Sequence, residues 1–249
     1  MKKMKIVIPA RFGSTRLAGK PILEISGKPI FWHVYQRCLE SGFNSDDIYL
    51  ATDDERIYQK SVALNINTVI TSKSHESGTD RIFEVAKIKN WKSDDIIINV
   101  QGDEPMISPV LIQQLASFAN ARTKFDIITT VAPIHTHEDF ENPNIVKAIM
   151  GLNNRVLYFT RSPTPYNRDR PDCIELAFKH IGVYSYTVNT LSKFCSFDKA
   201  PLENYEKLEQ LRALSNGLTI GAFSYEGNIA HGVDTLSDYL KIKNSMERK

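Results

Sequence analysis

The stretch KIVIPARFGSTRLAGKP, residues 5–21, opens on a short β-rich apolar run and passes directly into a basic loop holding two glycines. An apolar run of this length without polar alternation reads as a strand covered on both faces. Such a strand, followed by a loop and then a helix, is the first unit of an α/β sheet.

The chain repeats that unit. KPIFWHVYQRCLESG (28–42) reads as a helix, with Pro29 suited to its first turn and Gly42 to its stop. DIYLAT (47–52) is a strand, DDERIYQKSVALN (53–65) a helix with acids in its first turn, and NTVIT (67–71) a strand. SGTDRIFEVAKI (77–88) enters a helix, DIIINVQGDEP (95–105) is a strand ending in polar residues, SPVLIQQLASFAN (108–120) is a helix and DIITTVAPI (126–134) a strand. The alternation predicts a doubly wound, mostly parallel sheet, with the loops after its strands gathered at one edge, where ligands bind in such folds.

From about residue 145 the pattern changes. IVKAIM and RVLYFTR read as a hairpin around GLNN (151–154), and SPTPYNRDRPD (162–172) as a long loop. HIGVYSYTV (180–188) is a strand, TLSKFCSF and ENYEKLEQLRALSNG are helices, TIGAFSYEG is a strand and DTLSDYLKIKNSMERK closes the chain as a helix. No repeat, low-complexity tract or linker divides the sequence. Residues 1–249 therefore read as a single domain, the second half adding a β-hairpin and helices to the same sheet.

Bulk properties exclude several classes. A net charge of +2 and a 42% apolar composition give no global attraction to nucleic acid or to a membrane surface, so any anion site is local. The basic start and the apolar run Ile6–Ala10, broken by Arg11, are too short for a signal h-region. No run approaches the length of a membrane span. Cys38, Cys173 and Cys195, odd in number and widely spaced, form neither a disulfide framework nor a metal pattern, and read as packing residues in a reducing cytoplasm.

The loop after the first strand nearly spells the phosphate-loop motif G-x-x-x-x-G-K-[ST]. Five residues, not four, separate Gly13 from Gly19, and Pro21 stands where the hydroxyl belongs. Arg11, Arg16 and Lys20 bring three cations within ten residues at a strand end, an arrangement suited to a triphosphate. A solvated basic loop is the plainer reading. Asp103, in NVQGDEP, follows a buried strand and a glycine and is a magnesium-ligand candidate or a turn residue before Pro105. Asp234, in HGVDT, is a second carboxylate or the cap of the last helix. Ser77 and Gly78 offer backbone to a base edge or form a helix N-terminus. His180, Gly182 and Tyr184 share one strand face, opposite Ile181 and Val183, which suits a sugar-binding surface or a half-buried aromatic strand. Glu209 and Gln210 fall amid apolar helical positions, ordinarily a solvated face.

Taken together, IPARFGSTRLAGKP, ATDDERI, SGTDR, NVQGDEPMI, NPNIVKAI, YFTRSP, KHIGVYSY, ENYEKLEQLRAL and GVDT resemble, in order and spacing, the 3-deoxy-manno-octulosonate (Kdo) cytidylyltransferases over nearly the whole chain. The resemblance implies a nucleotidyltransferase-type α/β fold, CTP and Kdo as substrates, Mg²⁺, and a cytoplasmic homodimer serving lipopolysaccharide synthesis. By position it assigns the triphosphate to Arg11, Arg16 and Lys20, and the cytosine to Pro9, Ala10, Ser77 and Gly78. It assigns the metal to Asp103 and Asp234, and the sugar to Gln101, Arg161, His180, Tyr184, Glu209 and Gln210. Ala18 stands where the family usually has proline, and the segment NRDRPDCIELAFKH is short. The implied reaction is in-line attack of the sugar's anomeric hydroxyl on the α-phosphorus of CTP. The 8-amino analogue of Kdo as substrate and a non-catalytic nucleotide-binding regulator are the alternatives.

Overall fold

The computed structural model describes residues 3–13, 17–121, 124–230 and 232–248. The first half follows the alternation. Strand β1 (Met4–Pro9) leads through the loop to a short 3-10 turn (Lys20–Ile22), a small hairpin of β2 (Glu24–Ile25) and β3 (Lys28–Pro29), and helix α1 (Ile30–Glu40). Then come β4 (Ile48–Thr52), α2 (Glu55–Ala63), β5 (Thr68–Ile70), α3 (Gly78–Ile88), β6 (Ile96–Asn99), α4 (Pro109–Ala121) and β7 (Ile127–Pro133).

The second half holds α5 (His137–Glu141), β8 (Lys147–Met150), β9 (Arg155–Thr160), β10 (Phe178–Thr187), α6 (Val188–Ser196), α7 (Pro201–Glu206), α8 (Gln210–Ser215), β11 (Ile220–Ser224) and α9 (Leu236–Glu247).

Among the described residues, nine strands form one sheet in the order β5-β4-β1-β6-β10-β7-β11-β9-β8. β5, β4, β1 and β6 are parallel, as are β7 and β11. β10 runs antiparallel to both β6 and β7. The sequence pattern carries β6, α4 and β7 as one continuous parallel run, but a strand from the second half separates β6 from β7.

Burial explains the layers. Ile6 and Ile8 of β1 pack with Phe31 and Val34 of α1 and Leu111, Ile112 and Leu115 of α4. Val7, on the opposite face, packs with Ile82 and Val85 of α3 and Leu191 and Phe194 of α6. Successive strand residues point to opposite faces, so one short apolar run anchors helices on both sides.

The predicted hairpin is present: β8 and β9 pair antiparallel, and Asn153 and Asn154 take φ of 58° and 65° in the turn. The stretch 203–217 is not one helix. Lys207 adopts φ +55° between α7 and α8, which turns the chain and takes Glu209 and Gln210 off a solvated face. Gln210 is buried and Glu209 half-buried. The three cysteines are free. No helix among the described residues is long and apolar enough to cross a membrane.

Candidate active site

The carboxyl ends of β1 and β6 open into a cleft of about 230 Å³. Pro9, Ala10, Arg11 and Lys20 line one wall, Ser77 and Gly78 another, and Gln101, Asp103 and Asp234 the floor. Nine of the residues assigned from sequence thus meet in one space. Arg16 lies outside the described residues.

Local structure explains the convergence. Gly19 takes φ +67° and its N–H donates to the Phe12 carbonyl at 3.2 Å, closing the basic loop on itself. Lys20 follows at the start of the 3-10 turn, with Pro21 inside it. The loop therefore runs into three residues of 3-10 turn, not into the long helix that backs a phosphate loop of the G-x-x-x-x-G-K-[ST] kind. Lys20 is buried, with 8% exposure, and its Nζ donates to Asp103 Oδ2 at 2.5 Å and Asp234 Oδ1 at 3.3 Å.

Asp234 lies 131 residues after Asp103 and reaches it through the backbone: the Val233 N–H donates to the Asp103 carbonyl at 2.8 Å. Val233 is fully buried with Ile25, Ile30 and Ile242, so an apolar plug holds the segment in place. The helix cap that the sequence left open for Asp234 belongs to Thr235, whose hydroxyl accepts from the Asp238 N–H at 3.2 Å. Asp234 is left to face the cleft.

Negative charge is concentrated here. Burial pushes the Glu104 carboxyl up to about 8, with the neighbouring charges of Asp103 and Asp234 pushing the same way and Lys20 opposing. Two carboxylates clasping an ammonium at a cleft floor fit a divalent cation, since Mg²⁺ takes one or two carboxylates plus phosphate oxygens and water. Asp103 and Asp234 are the residues that would hold it.

On the other wall Ser77 caps α3, its hydroxyl accepting from the Asp80 N–H at 3.2 Å. A Cβ added to Gly78 would come 3.5 Å from the Pro9 ring, ordinary contact distance, so the strand end and the helix start form one surface. The helix-cap reading of Ser77 holds, and Ser77 also borders the cleft. Beneath lies Arg81, 2% exposed, donating from Nη2 to Asp53 Oδ2 at 2.8 Å and from Nη1 to the Thr71 hydroxyl. This pair joins SGTDR to ATDDERI across the sheet edge.

The residues assigned to the sugar divide into two groups. Gln101 borders the cleft, and its Nε2 lies 3.4 Å from the Gly182 carbonyl of β10. On β10 the His180 and Tyr184 rings lie 5.3 Å apart on one face, and Ile181 and Val183 pack on the other. Thr129 Oγ1 donates to the Val183 carbonyl at 2.7 Å, which leaves that oxygen to accept from His180 Nε2–H at 3.0 Å. Burial lowers His180 to about 3, so the ring is neutral. Glu209 accepts from the Thr79 hydroxyl at 3.0 Å, and burial raises its pKa.

Arg161 and Gln210 stand apart. Arg161 Nε donates to the Glu206 carbonyl at 2.7 Å and Nη1 to the Pro143 carbonyl at 2.8 Å, so much of its fork is held by backbone. Of the six residues assigned to the sugar only Gln101 lines the cleft; Arg161, His180, Tyr184, Glu209 and Gln210 do not.

Sequence reasoning passed over Gly102, Glu104 and Arg81. Gly102 had a legible signal, a glycine between a buried strand and a site carboxylate. A Cβ there would fall 2.6 Å from the Pro9 carbonyl oxygen.

A doubly wound sheet with a polar cleft at its carboxyl edge, cationic on one wall and anionic on its floor, defines a nucleotidyltransferase-type α/β protein. Comparison with known proteins agrees. A cytidylyltransferase family model matches residues 5–220. A 3-deoxy-manno-octulosonate cytidylyltransferase of Cellvibrio japonicus is 44% identical, covering 97% of each chain. One of Acinetobacter baumannii is 43% identical over 96% of each. A solved CMP:2-keto-3-deoxy-manno-octonic acid synthetase complexed with CTP superposes with TM-score 0.90 at 37% identity, covering 99% of each chain. A putative glucose-1-phosphate thymidylyltransferase of Bacillus anthracis shares the fold alone, with TM-score 0.66 at 12% identity, over 99% of this chain and 96% of that one. The chain belongs to the 3-deoxy-manno-octulosonate cytidylyltransferase family.

Proposed function

We propose that this chain transfers the CMP moiety of CTP to the anomeric hydroxyl of Kdo, forming CMP-Kdo and pyrophosphate. The convergence of Lys20, Asp103 and Asp234 at the cleft floor carries the reading, in a chain whose relatives bear that activity in their names.

The hydroxyl oxygen attacks the α-phosphorus, the bond from that phosphorus to the bridging oxygen of the β-phosphate breaks, and the hydroxyl proton passes to solvent. Positioning and charge neutralisation supply most of the catalysis in such transfers. Arg11, Arg16 and Lys20 neutralise the triphosphate and the departing pyrophosphate. Pro9, Ala10, Ser77 and Gly78 seat the cytosine. Asp103 and Asp234 would hold Mg²⁺, which when bound would supply charge neutralisation of the phosphates. Gln101, His180, Tyr184 and Glu209 orient the sugar; the neutral His180 ring offers hydrogen bonds without competing for the substrate carboxylate. Arg161 and Gln210 belong to this set by resemblance alone.

The family resemblance also implies a cytoplasmic homodimer serving lipopolysaccharide synthesis. Exposed apolar residues on and beside the β8–β9 hairpin, Leu152 and Leu157, give surface for self-association, which size-exclusion chromatography with light scattering tests.

A pyrophosphate-release panel tests the reaction. CTP is offered with Kdo, 8-amino-Kdo and sialic acid, and the highest kcat/KM is expected with Kdo. Preference for 8-amino-Kdo would move the sugar assignment. Release with none of the three would remove the activity.

A further inference from the structure

Arg56 stands in the first turn of α2, 59% exposed along its side chain and not among the residues lining the cleft. Its guanidinium carbon lies 3.3 Å from the centroid of the Phe12 ring, in the phosphate loop. Asp54 holds that guanidinium through two bonds, Nε to Oδ1 at 2.9 Å and Nη2 to Oδ2 at 2.7 Å. Asp54 is itself anchored: it caps α2 by accepting from the Arg56 N–H at 3.0 Å, and its own N–H donates to the Thr52 hydroxyl at 3.3 Å.

The other contacts of Phe12 lead to Lys20. A Cβ at Gly19 would lie 3.0 and 3.1 Å from two atoms of the Phe12 ring, so ring and glycine are in close contact. The Gly19 N–H bonds the Phe12 carbonyl. Gly19 holds φ +67°, and the next residue is Lys20. The ring therefore has Arg56 on its face and the Gly19–Lys20 corner against it.

A planar guanidinium stacked on an aromatic face and clamped by a carboxylate attracts that ring with a definite orientation. Lysine in its place would keep the charge and lose the bidentate grip on Asp54.

We propose that Arg56, oriented by Asp54 and acting through Phe12, is a positioning residue that holds the Gly19–Lys20 corner in its triphosphate-binding form. The inference rests on the assignment of Lys20 to the phosphates of CTP. It gives a role to ATDDERI: Asp53 grips Arg81 beneath the cleft, while Asp54 and Arg56 brace the loop above it.

Calorimetric titration of CTP, without sugar, tests it alongside steady-state pyrophosphate release. Arg56→Ala should weaken CTP binding and raise its KM about threefold to fivefold, the range a surface cation–π contact supports. kcat should stay within about twofold, and the melting temperature should fall by no more than about 4 °C. Phe12→Leu should reproduce the loss, and the double variant should be no worse than Phe12→Leu alone, because both remove one contact. Arg56→Lys should not restore affinity. In a Lys20→Ala background Arg56→Ala should have no further effect on CTP affinity.

Unchanged CTP affinity in Arg56→Ala overturns the proposal, as does an equal loss in the Lys20→Ala background, which would mark a merely structural role. Lys20→Ala with unchanged CTP affinity would instead defeat the assignment of Lys20, a result separable from the first.

Discussion

A single methyl group at Gly102 tests whether the two sides of the cleft are set by backbone contact. Gly102 is buried between the end of β6 and Asp103. Its added Cβ would meet the Pro9 carbonyl oxygen at 2.6 Å, the Ala10 Cβ at 3.3 Å and the Pro9 carbonyl carbon at 3.4 Å. Two of these atoms are backbone and cannot swing aside. The β1 and β6 ends must part by at least 0.4 Å to bring the first contact from 2.6 to 3.0 Å, below which real Cβ contacts are essentially not seen. Overpacking of this kind costs about 1–3 kcal/mol. In a domain of this size that lowers the melting temperature by roughly 2–12 °C. The displacement falls on Pro9 and Ala10 on one side and Asp103 on the other. A misplacement of about 1 Å costs on the order of a hundredfold in rate, so Gly102→Ala should lose about tenfold in kcat/KM. Differential scanning fluorimetry and the pyrophosphate assay read the two effects. A Gly102→Ala enzyme with a lower melting temperature but wild-type kcat/KM would refute the claim that this contact sets the site's geometry.

Asp103→Asn and Lys20→Ala should each cut turnover by about a hundredfold or more while the protein stays folded; near-normal turnover at saturating Mg²⁺ removes that residue from the chemistry. Asp53→Ala strips the buried Arg81 of its carboxylate, and breaking a buried pair costs about 3–5 kcal/mol, so the melting temperature should drop by roughly 6–20 °C. A drop of about 2 °C or less would mean the guanidinium finds other partners or water. His180 titrates at about 3 when folded and 6.5 when free, so the unfolded chain gains a proton that the folded one refuses as pH falls below 6.5. Stability is therefore lost from pH 6.5 downward, by about 2 kcal/mol at pH 5, and the loss levels off near pH 3. Urea midpoints of His180→Gln should show the shallower dependence between pH 6.5 and 4.5; parallel curves for variant and wild type would exclude a buried neutral ring.

Residues acting near their own place in the chain were legible. The strand β1 and the loop after it are set by Ile6–Ile8, Gly13, Gly19 and Pro21, all within one short segment. The start of α3 is written in Ser77 and Asp80, and the β8–β9 hairpin in Asn153 and Asn154. Residues whose role depends on distant partners were not. Thr235 and Asp238 spell a local capping box, but nothing near Asp234 says that it meets Asp103; the Val233–Asp103 backbone bond and the apolar plug around Val233 decide that. Glu209 and Gln210 read as surface because helical periodicity runs through Lys207 unbroken, and only its φ of +55° turns the chain. The insertion of β10 between β6 and β7 is likewise silent locally, because sheet order is a choice among pairings that the strands themselves permit.

The sequence by itself therefore determined the class of fold, the cationic loop and the inventory of carboxylates and rings. Those follow from local periodicity, turn residues and motif spacing. The tertiary structure decided which carboxylates meet Lys20, that Gly102 must lack a side chain, and that Arg56 leans on Phe12. These are contacts between segments far apart in the chain, and they exist only once burial has packed helices on both faces of one sheet.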